Sequence, residues 1–177
     1  LNIQDKKTYL EKMRHSAAHV LAESVKKIYP SAKLTIGPSI EDGFFYDFDV
    51  TEPFTPNDLA SIEKEMEKSI NRDTYFSERE VTREFAKSLV KDTPYKHEII
   101  AGIPPNEKIT LCSHSNGDFE DLCRGGHVEK TGDIKAFKLM SASGAYWRGK
   151  ENNPMLQRIY GTAWESKKSF SISNPHP

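Results

Sequence analysis

Two pairs of chemically versatile side chains, each with a four-residue spacing, constrain this chain more than any other feature of its sequence. His15 and His19 form the first pair, in the segment HSAAH, and Cys123 and His127 form the second, in CRGGH. For a chain of 177 residues with 6 His and 2 Cys, chance produces both spacings in about one sequence in eighty. We therefore predict that the two pairs converge on one site, against the plainer interpretation that these are ordinary structural side chains.

The longest predicted element is an amphipathic helix from Tyr9 to Tyr29, which Pro30 ends. His15 and His19 lie one turn apart on this helix, so both rings project from the same face. Further helical segments are predicted at 55–71, where Thr-Pro-Asn-Asp supplies a cap, at 82–91, and in a short stretch from 94 to the proline pair at 104–105.

Alternating apolar residues and turn signals predict short strands along the rest of the chain. They lie at 33–37, 44–50, 76–81, 108–114, 118–122, 136–143, 145–148 and 156–163. Asn116-Gly117 between two extended runs is a strong hairpin signal. The pattern predicts an α+β fold, with a mixed or antiparallel sheet packed against a long N-terminal helix and further helices. We expect a lead-in at 1–8, one domain at 9–168, and a tail or linker remnant at 169–177.

Composition excludes several classes of protein. Lys and Arg number 25 against 26 Asp and Glu, so the global charge does not suit a protein that coats nucleic acid. No apolar run is long enough to span a membrane, and the charged first twenty residues do not form a signal peptide. We expect a soluble, cytoplasmic protein whose two cysteines stay thiols.

A basic stretch at 135–168 is the only local charge pattern that indicates nucleic acid. It contains seven Lys or Arg and two Glu, interleaved with Tyr146, Trp147, Tyr160 and Trp164. Phosphates can contact such cations while bases stack on the rings. Buried aromatic residues between solvated cations explain the pattern almost equally well.

The four His and Cys residues offer three nitrogens and one sulfur, a donor set that zinc accepts. Catalytic zinc keeps one position for water, however, and four protein ligands would fill every position. Either one residue stays off the metal, or the cluster works without metal as a set of acid–base and hydrogen-bonding groups. A zinc protease is disfavoured because Ser16 stands where that motif has glutamate.

The chain resembles the N-terminal editing domain of bacterial-type threonyl-tRNA synthetases from about Tyr9 to Lys168. The segments that carry the resemblance are HSAAH at 15–19, IGP at 36–38, DGFFYD at 42–47, DLCRGGH at 121–127, FKL at 137–139, GAYWRG at 144–149 and MLQRIYGTAW at 155–164. Alanyl-tRNA editing proteins share the two His/Cys pairs, but the last two segments favour the threonyl branch. Gly126 departs from the proline that the family often has there.

The resemblance implies the fold of the threonyl/alanyl-tRNA synthetase second additional domain and a hydrolase that removes serine wrongly attached to threonine tRNA. One methyl group is worth only about 1–3 kcal/mol in a pocket, so the synthetic site cannot reject the smaller serine well enough. A second, narrower site that admits serine and clashes with the methyl group of threonine would correct the error. Alternatives are a metal-stabilised module that binds the tRNA acceptor end without turnover, and a free-standing trans-editing protein. Ligase activity, ATP and the dimeric assembly would belong to the remaining domains of a parent synthetase involved in translation.

The resemblance also assigns roles to individual residues. It implies that His15 holds or activates the attacking water, with the other members of the two pairs around it, and that Lys96 stabilises the oxyanion or transfers a proton. Tyr46 and Asp121 match substrate-pocket positions, and Asp121 suits the substrate's ammonium group. The expected catalytic residues are His15, His19, Lys96, Cys123 and His127, and the expected tRNA-binding residues are Lys138, Trp147, Arg148 and Arg158. Editing is expected to need no metal, although the two pairs are candidate ligands for a zinc ion.

Overall fold

A computed structural model describes residues 2–173 of the chain as five helices and eight strands. The helices are α1 (Ile3–Ile28), α2 (Pro56–Asn71), α3 (Arg83–Leu89), α4 (Pro94–Gly102) and α5 (Lys167–Ser173). The strands are β1 (Lys33–Leu34), β2 (Ser39–Ile40), β3 (Gly43–Asp49), β4 (Ser77–Val81), β5 (Ile109–His114), β6 (Phe119–Leu122), β7 (Ala136–Tyr146) and β8 (Met155–Trp164). No helix in this part of the chain is both long enough and apolar enough to cross a membrane.

The larger sheet has five strands in the order β1-β3-β8-β7, and β2 pairs with β3 outside this path. Helices α1 and α2 pack against it and against each other. Their contact forms the main core, in which Met13, Leu21, Phe44, Phe48 and Met66 are fully buried. Side chains spaced three or four apart on α1 therefore point into the same core that β3 covers with alternate residues.

The smaller sheet has the order β4-β5-β6. Helices α3 and α4 supply Ala86 and Ile100 to a second, small core that also contains Ile109 of β5. Every strand pairing in residues 2–173 is antiparallel. The predicted α+β class with an antiparallel sheet and a long first helix is thus confirmed.

The hairpin at Asn116-Gly117 is confirmed, whereas several predicted boundaries were wrong. Helix α1 begins at Ile3, where Asn2 caps it, so most of the expected lead-in is helical. The predicted strands at 136–143 and 145–148 form one strand, β7, with a bulge between Leu139 and Ser141. Arg148 lies beyond that strand with φ of 56°.

The tail prediction also changes in part. Helix α5 extends to Ser173, and residues 174–177 lie outside the described residues. Strand β1 ends at Leu34 rather than continuing to Gly37. The two cysteines are free, as expected.

A carboxylate on α1 ties the long helix to both α2 and the hairpin. Glu23 Oε1 accepts a hydrogen bond of 2.5 Å from Ser69 Oγ and lies 3.2 Å from His114 Nε2. Burial raises the pKa of Glu23, but the contacts with His114, Ser115 and Ser69 outweigh it and lower the pKa to about 2. The ionised carboxylate therefore holds three segments together.

Replacing this carboxylate by an amide should flatten the acid dependence of stability. Because the folded pKa of Glu23 is about 2 and its ordinary value is 4.5, its contribution is complete above pH 4.5 and is lost as the pH falls towards 2. We expect Glu23→Gln to lose less unfolding free energy between pH 7 and pH 2.5 than the wild type, measured by urea unfolding. Glu67→Gln, on the exposed face of α2, is the control and should keep the wild-type difference. An unchanged difference in Glu23→Gln would contradict this account.

Candidate active site

The two His/Cys pairs meet in the folded chain, as their spacing predicted. His15 and His19 project from α1, and Cys123 and His127 lie in the loop after β6. His15 Nε2 is 3.3 Å from His19 Nε2 and 3.4 Å from Cys123 Sγ, and Cys123 Sγ is 3.5 Å from His127 Nε2. These four side chains are called the His/Cys cluster below.

The backbone after β6 brings the second pair to the helix. The Cys123 amide donates to Thr110 O, which extends the pairing of β5 with β6 by one bond. Gly125 and Gly126 then adopt φ of +92° and +88°, a region that side chains with a Cβ rarely adopt. The loop turns back there, and the Val128 amide donates to Ser16 Oγ on α1 at 3.0 Å. His127 consequently faces the helix.

The cluster favours a thiolate at Cys123. A hydrogen bond from Cys112 lowers the pKa of the Cys123 thiol, burial opposes this, and contacts with the three imidazoles lower the pKa further. Contact with Cys123 and burial both raise the pKa of the Cys112 thiol. Burial lowers the pKa of His19 to about 4, so that this imidazole is neutral near pH 7. Burial lowers the pKa of His15 as well, but its contacts with Cys123 and Gly126 outweigh this and raise the pKa above its ordinary value.

A buried network of charges lies directly behind the cluster. Lys96 on α4 forms an ion pair with Asp121 Oδ1, and both side chains are nearly inaccessible to solvent. Tyr46 Oη donates to Asp121 Oδ2 at 2.9 Å, and His19 Nδ1 lies 3.9 Å from the same oxygen. Burial lowers the pKa of Lys96 to about 7 and raises that of Tyr46, which stays a neutral hydroxyl.

Both carboxylate oxygens of Asp121 have partners in this network. Its Oδ1 contacts Lys96 and also accepts from the Leu122 amide at 2.8 Å, while Tyr46 holds Oδ2. Asp121 thus contacts Lys96, Tyr46 and His19 and also lines the cleft described below, and its binding of a substrate ammonium group stays a prediction.

The cluster opens into a cleft of about 830 Å³. Its walls are residues 35–39 and Tyr46 on one side and residues 107–110 with Ile99 and Ile103 on the other. His15, His19, Asp121 and Cys123 line the inner end. A space of this size accommodates a small organic group together with part of a larger ligand.

Of the four predicted tRNA-binding residues, only Arg148 lines the cleft. Lys138 pairs with Glu63 at 3.3 Å, and Arg158 makes two hydrogen bonds to Asp47 at 2.7 and 2.9 Å. The Trp147 ring is buried and its Nε1–H donates to Glu98 at 2.6 Å. A ring in this position exposes little surface for base stacking, and the RNA contact of Trp147 stays a prediction.

Sequence reasoning missed several residues around the cleft. Lys108 and Arg124 line it and have exposed side chains. Cys112 contacts the Cys123 thiol from β5, and Glu78 on β4 lies beside His127. The hairpin signal could have located Cys112, because a hairpin centred between residues 116 and 117 pairs position 112 with Asp121, as is observed. No comparable signal marks Glu78, whose position depends on how β4 pairs.

Three of the six distances between donor atoms in the His/Cys cluster suit a zinc ion. Donor atoms around tetrahedral zinc lie about 3.4–3.6 Å apart, given bonds near 2.1 Å to nitrogen and 2.3 Å to sulfur. The three contacts within the cluster measure 3.3, 3.4 and 3.5 Å, and all four donors lie within 4.8 Å of one another. The residues that would hold zinc are therefore His15, His19, Cys123 and His127.

Comparison with known proteins identifies close relatives. Residues 109–160 match the family described as "Threonyl and Alanyl tRNA synthetase second additional domain". The chain is 55% identical over 163 residues to the threonine–tRNA ligase of Legionella pneumophila subsp. pneumophila, covering 91% of this chain and 25% of that enzyme. It is 54% identical over 160 residues to the threonine–tRNA ligase of Bordetella avium, covering 89% and 24%. The chain thus spans about a quarter of the length of the curated relatives it matches.

The buried ion pair between Lys96 and Asp121 can be tested by measuring the free energy of unfolding. Asp121→Leu leaves Lys96 buried without its counter-charge, which we expect to lower the free energy of unfolding by roughly 3 kcal/mol. Adding Lys96→Met removes the orphaned ammonium group, so the double variant should regain a large part of this loss. Urea unfolding of both variants at pH 7 measures the difference. A double variant that is less stable than Asp121→Leu would contradict the pairing.

Proposed function

We propose that this chain belongs to the threonyl-tRNA synthetase branch of the second additional domain family, to which it is similar, and that it edits by hydrolysing the ester between serine and threonine tRNA. The observation that carries the proposal is the convergence of a thiolate-favouring cysteine, three imidazoles and a buried Lys–Asp pair in one cluster, of which Cys123, His15, His19 and Asp121 line the cleft. Groups that bind and transfer protons near neutral pH are what ester hydrolysis requires.

The acceptor end of the tRNA would enter at the exposed mouth of the cleft. Lys108, Arg124 and Arg148 line this cleft from three separate segments and have exposed side chains. Arg148 adopts φ of 56°, a left-handed conformation that is uncommon for arginine. Cations in these positions suit the phosphates that flank a terminal adenosine, while the ester bond reaches the His/Cys cluster.

In the proposed mechanism His15 is the group that activates water. Both rings line the cleft, but His19 is buried, whereas His15 is only partly buried. Water loses a proton to His15 and attacks the seryl carbonyl carbon. The tetrahedral intermediate then collapses with cleavage of the bond to the ribose oxygen, which takes up the proton and leaves as a hydroxyl. Lys96 stabilises the negative charge through the buried network or supplies a proton to it.

Tyr46 and its surroundings would provide the narrow wall that excludes threonine. A Cβ built on Gly37 would lie 2.2 Å from Tyr46 Cδ2, so the backbone at 37 packs directly on the ring. The ring is fully buried and is held by its hydrogen bond to Asp121. A wall this closely packed cannot yield to an added methyl group without moving the core.

We propose that zinc is not required for this reaction. When bound by the whole cluster, zinc would supply rigidity and keep Cys123 as a thiolate, in a site closed by four protein ligands. The fit of the donors to zinc favours a second candidate function, a metal-stabilised module that holds the tRNA acceptor end without turnover.

The decisive experiment measures release of serine from threonine tRNA that carries serine. Threonine tRNA that carries threonine is the comparison substrate. We expect the wild-type chain to release serine much faster than threonine. His15→Ala should lower the rate about 100-fold or more, the usual effect of losing a general base, with an unchanged unfolding midpoint. His97→Ala, outside the cleft, is the matched control and should keep the wild-type rate. Equal rates on both substrates would exclude the sieve, and unfolding of His15→Ala would point to a structural role.

A chelation experiment separates the two candidate functions. Protein stripped of metal, with zinc content measured directly, should retain its full rate of serine release. If the rate disappears with the metal and returns with added zinc, the metal-free proposal is wrong. Stoichiometric zinc with no turnover in any sample would favour the binding module.

A further inference from the structure

The turn at Gly125 and Gly126 lies in contact with the carboxylate of Glu78. The Gly126 amide donates to Glu78 Oε1 at 3.1 Å, and a Cβ at Gly125 would lie 2.7 Å from the same oxygen. Proline at position 126 would have no N–H to donate, and its ring fixes φ near about −65°, far from the +88° seen at Gly126. The glycine therefore permits a contact that proline would forbid, and Glu78 on β4 supplies the other partner.

Glu78 also faces the outer nitrogen of His127. Glu78 Oε1 lies 3.5 Å from His127 Nδ1, and the imidazole side chain is only 2% exposed. Within residues 2–173 this Nδ1 has no hydrogen-bond partner, although buried polar atoms nearly always have one. The Glu78 side chain is 46% exposed and has room to tilt. A small movement of the carboxylate would complete the hydrogen bond.

Gly126 also connects Glu78 to a second imidazole. The carbonyl oxygen of Gly126 lies 3.3 Å from His15 Nδ1, while its amide donates to Glu78. The Phe76 ring stacks on His127 with centroids 5.2 Å apart and planes only 7° from parallel, which fixes the plane of that ring. One carboxylate thus contacts the outer side of His127 directly and that of His15 through Gly126.

We infer that Glu78 is a positioning residue, whose carboxylate holds the Gly126 amide and accepts a hydrogen bond from His127 Nδ1–H. This contact keeps the Nε2 atoms of His15 and His127 directed at Cys123 and the inner end of the cleft. Outer partners of this kind set which imidazole nitrogen carries the proton. The catalytic consequence rests on the proposed function, whereas the hydrogen bond itself does not.

The test combines kinetics with a spectroscopic measurement on the whole chain. In Glu78→Ala we expect kcat for serine release to fall about 10–100-fold, as is typical for loss of such a partner, with KM within about twofold of the wild type. The ¹⁵N shifts of the His127 ring should show loss of the Nδ1–H form. Glu78→Gln keeps an oxygen that can accept from the Gly126 amide, and its kcat should lie between those of Glu78→Ala and the wild type.

Glu80→Ala is the matched control, because Glu80 occupies the same face of β4 two residues away and is exposed. It should leave both kcat and the His127 shifts unchanged. Wild-type kcat and wild-type His127 shifts in Glu78→Ala would overturn the inference, as would an equal effect in Glu80→Ala. If the wild type itself releases no serine, the proposed function fails, and the His127 shifts alone decide whether Glu78 holds the ring.

Discussion

The hydrogen bond between the Val128 amide and Ser16 Oγ is the contact on which the rest of the site depends. Ser16 follows His15 on α1, and Val128 follows His127 in the loop, so one bond of 3.0 Å places the two pairs side by side. Ser16 is fully buried and its hydroxyl donates to Lys12 O, which leaves its oxygen free to accept. The residue that disfavours a zinc protease is thus the one that joins the two halves of the cluster.

The charged groups in this small buried volume are tolerated because each of them has a partner. Asp121 is paired with Lys96, Tyr46 stays neutral, and burial keeps His19 neutral near pH 7. A thiolate at Cys123 is balanced by contacts with His15 and His127. Each ionised group therefore has a partner of opposite charge or a hydrogen-bond donor, as burial requires. Losing one partner would expose another to the full cost of desolvation.

Local patterns predicted much of the fold, because they depend on neighbours in sequence. The four-residue spacing of His15 and His19 requires only helical geometry, and the hairpin at Asn116-Gly117 places Cys112 opposite Asp121. The local pattern left the burial of Trp147 open, since the ring packs against Tyr95 of α4, which lies 52 residues earlier in the chain. The bulge in β7 and the contact of Glu78 with Gly126 likewise depend on strand pairing between remote parts of the chain. Tertiary packing decided these cases.

The site lies where the two sheets meet, and this location makes its integrity depend on their docking. The main core is formed by the larger sheet with α1 and α2 and also contains Phe119 of β6 and Val128, whereas the second core under the smaller sheet is small. Polar contacts join the two parts, among them Tyr46 with Asp121 and Glu23 with His114. Polar contacts of this kind are more sensitive to solvent and charge than apolar packing is. A change that loosens the smaller sheet would therefore act on Cys123, His127 and Asp121 and, through Phe119 and Val128, on the main core as well.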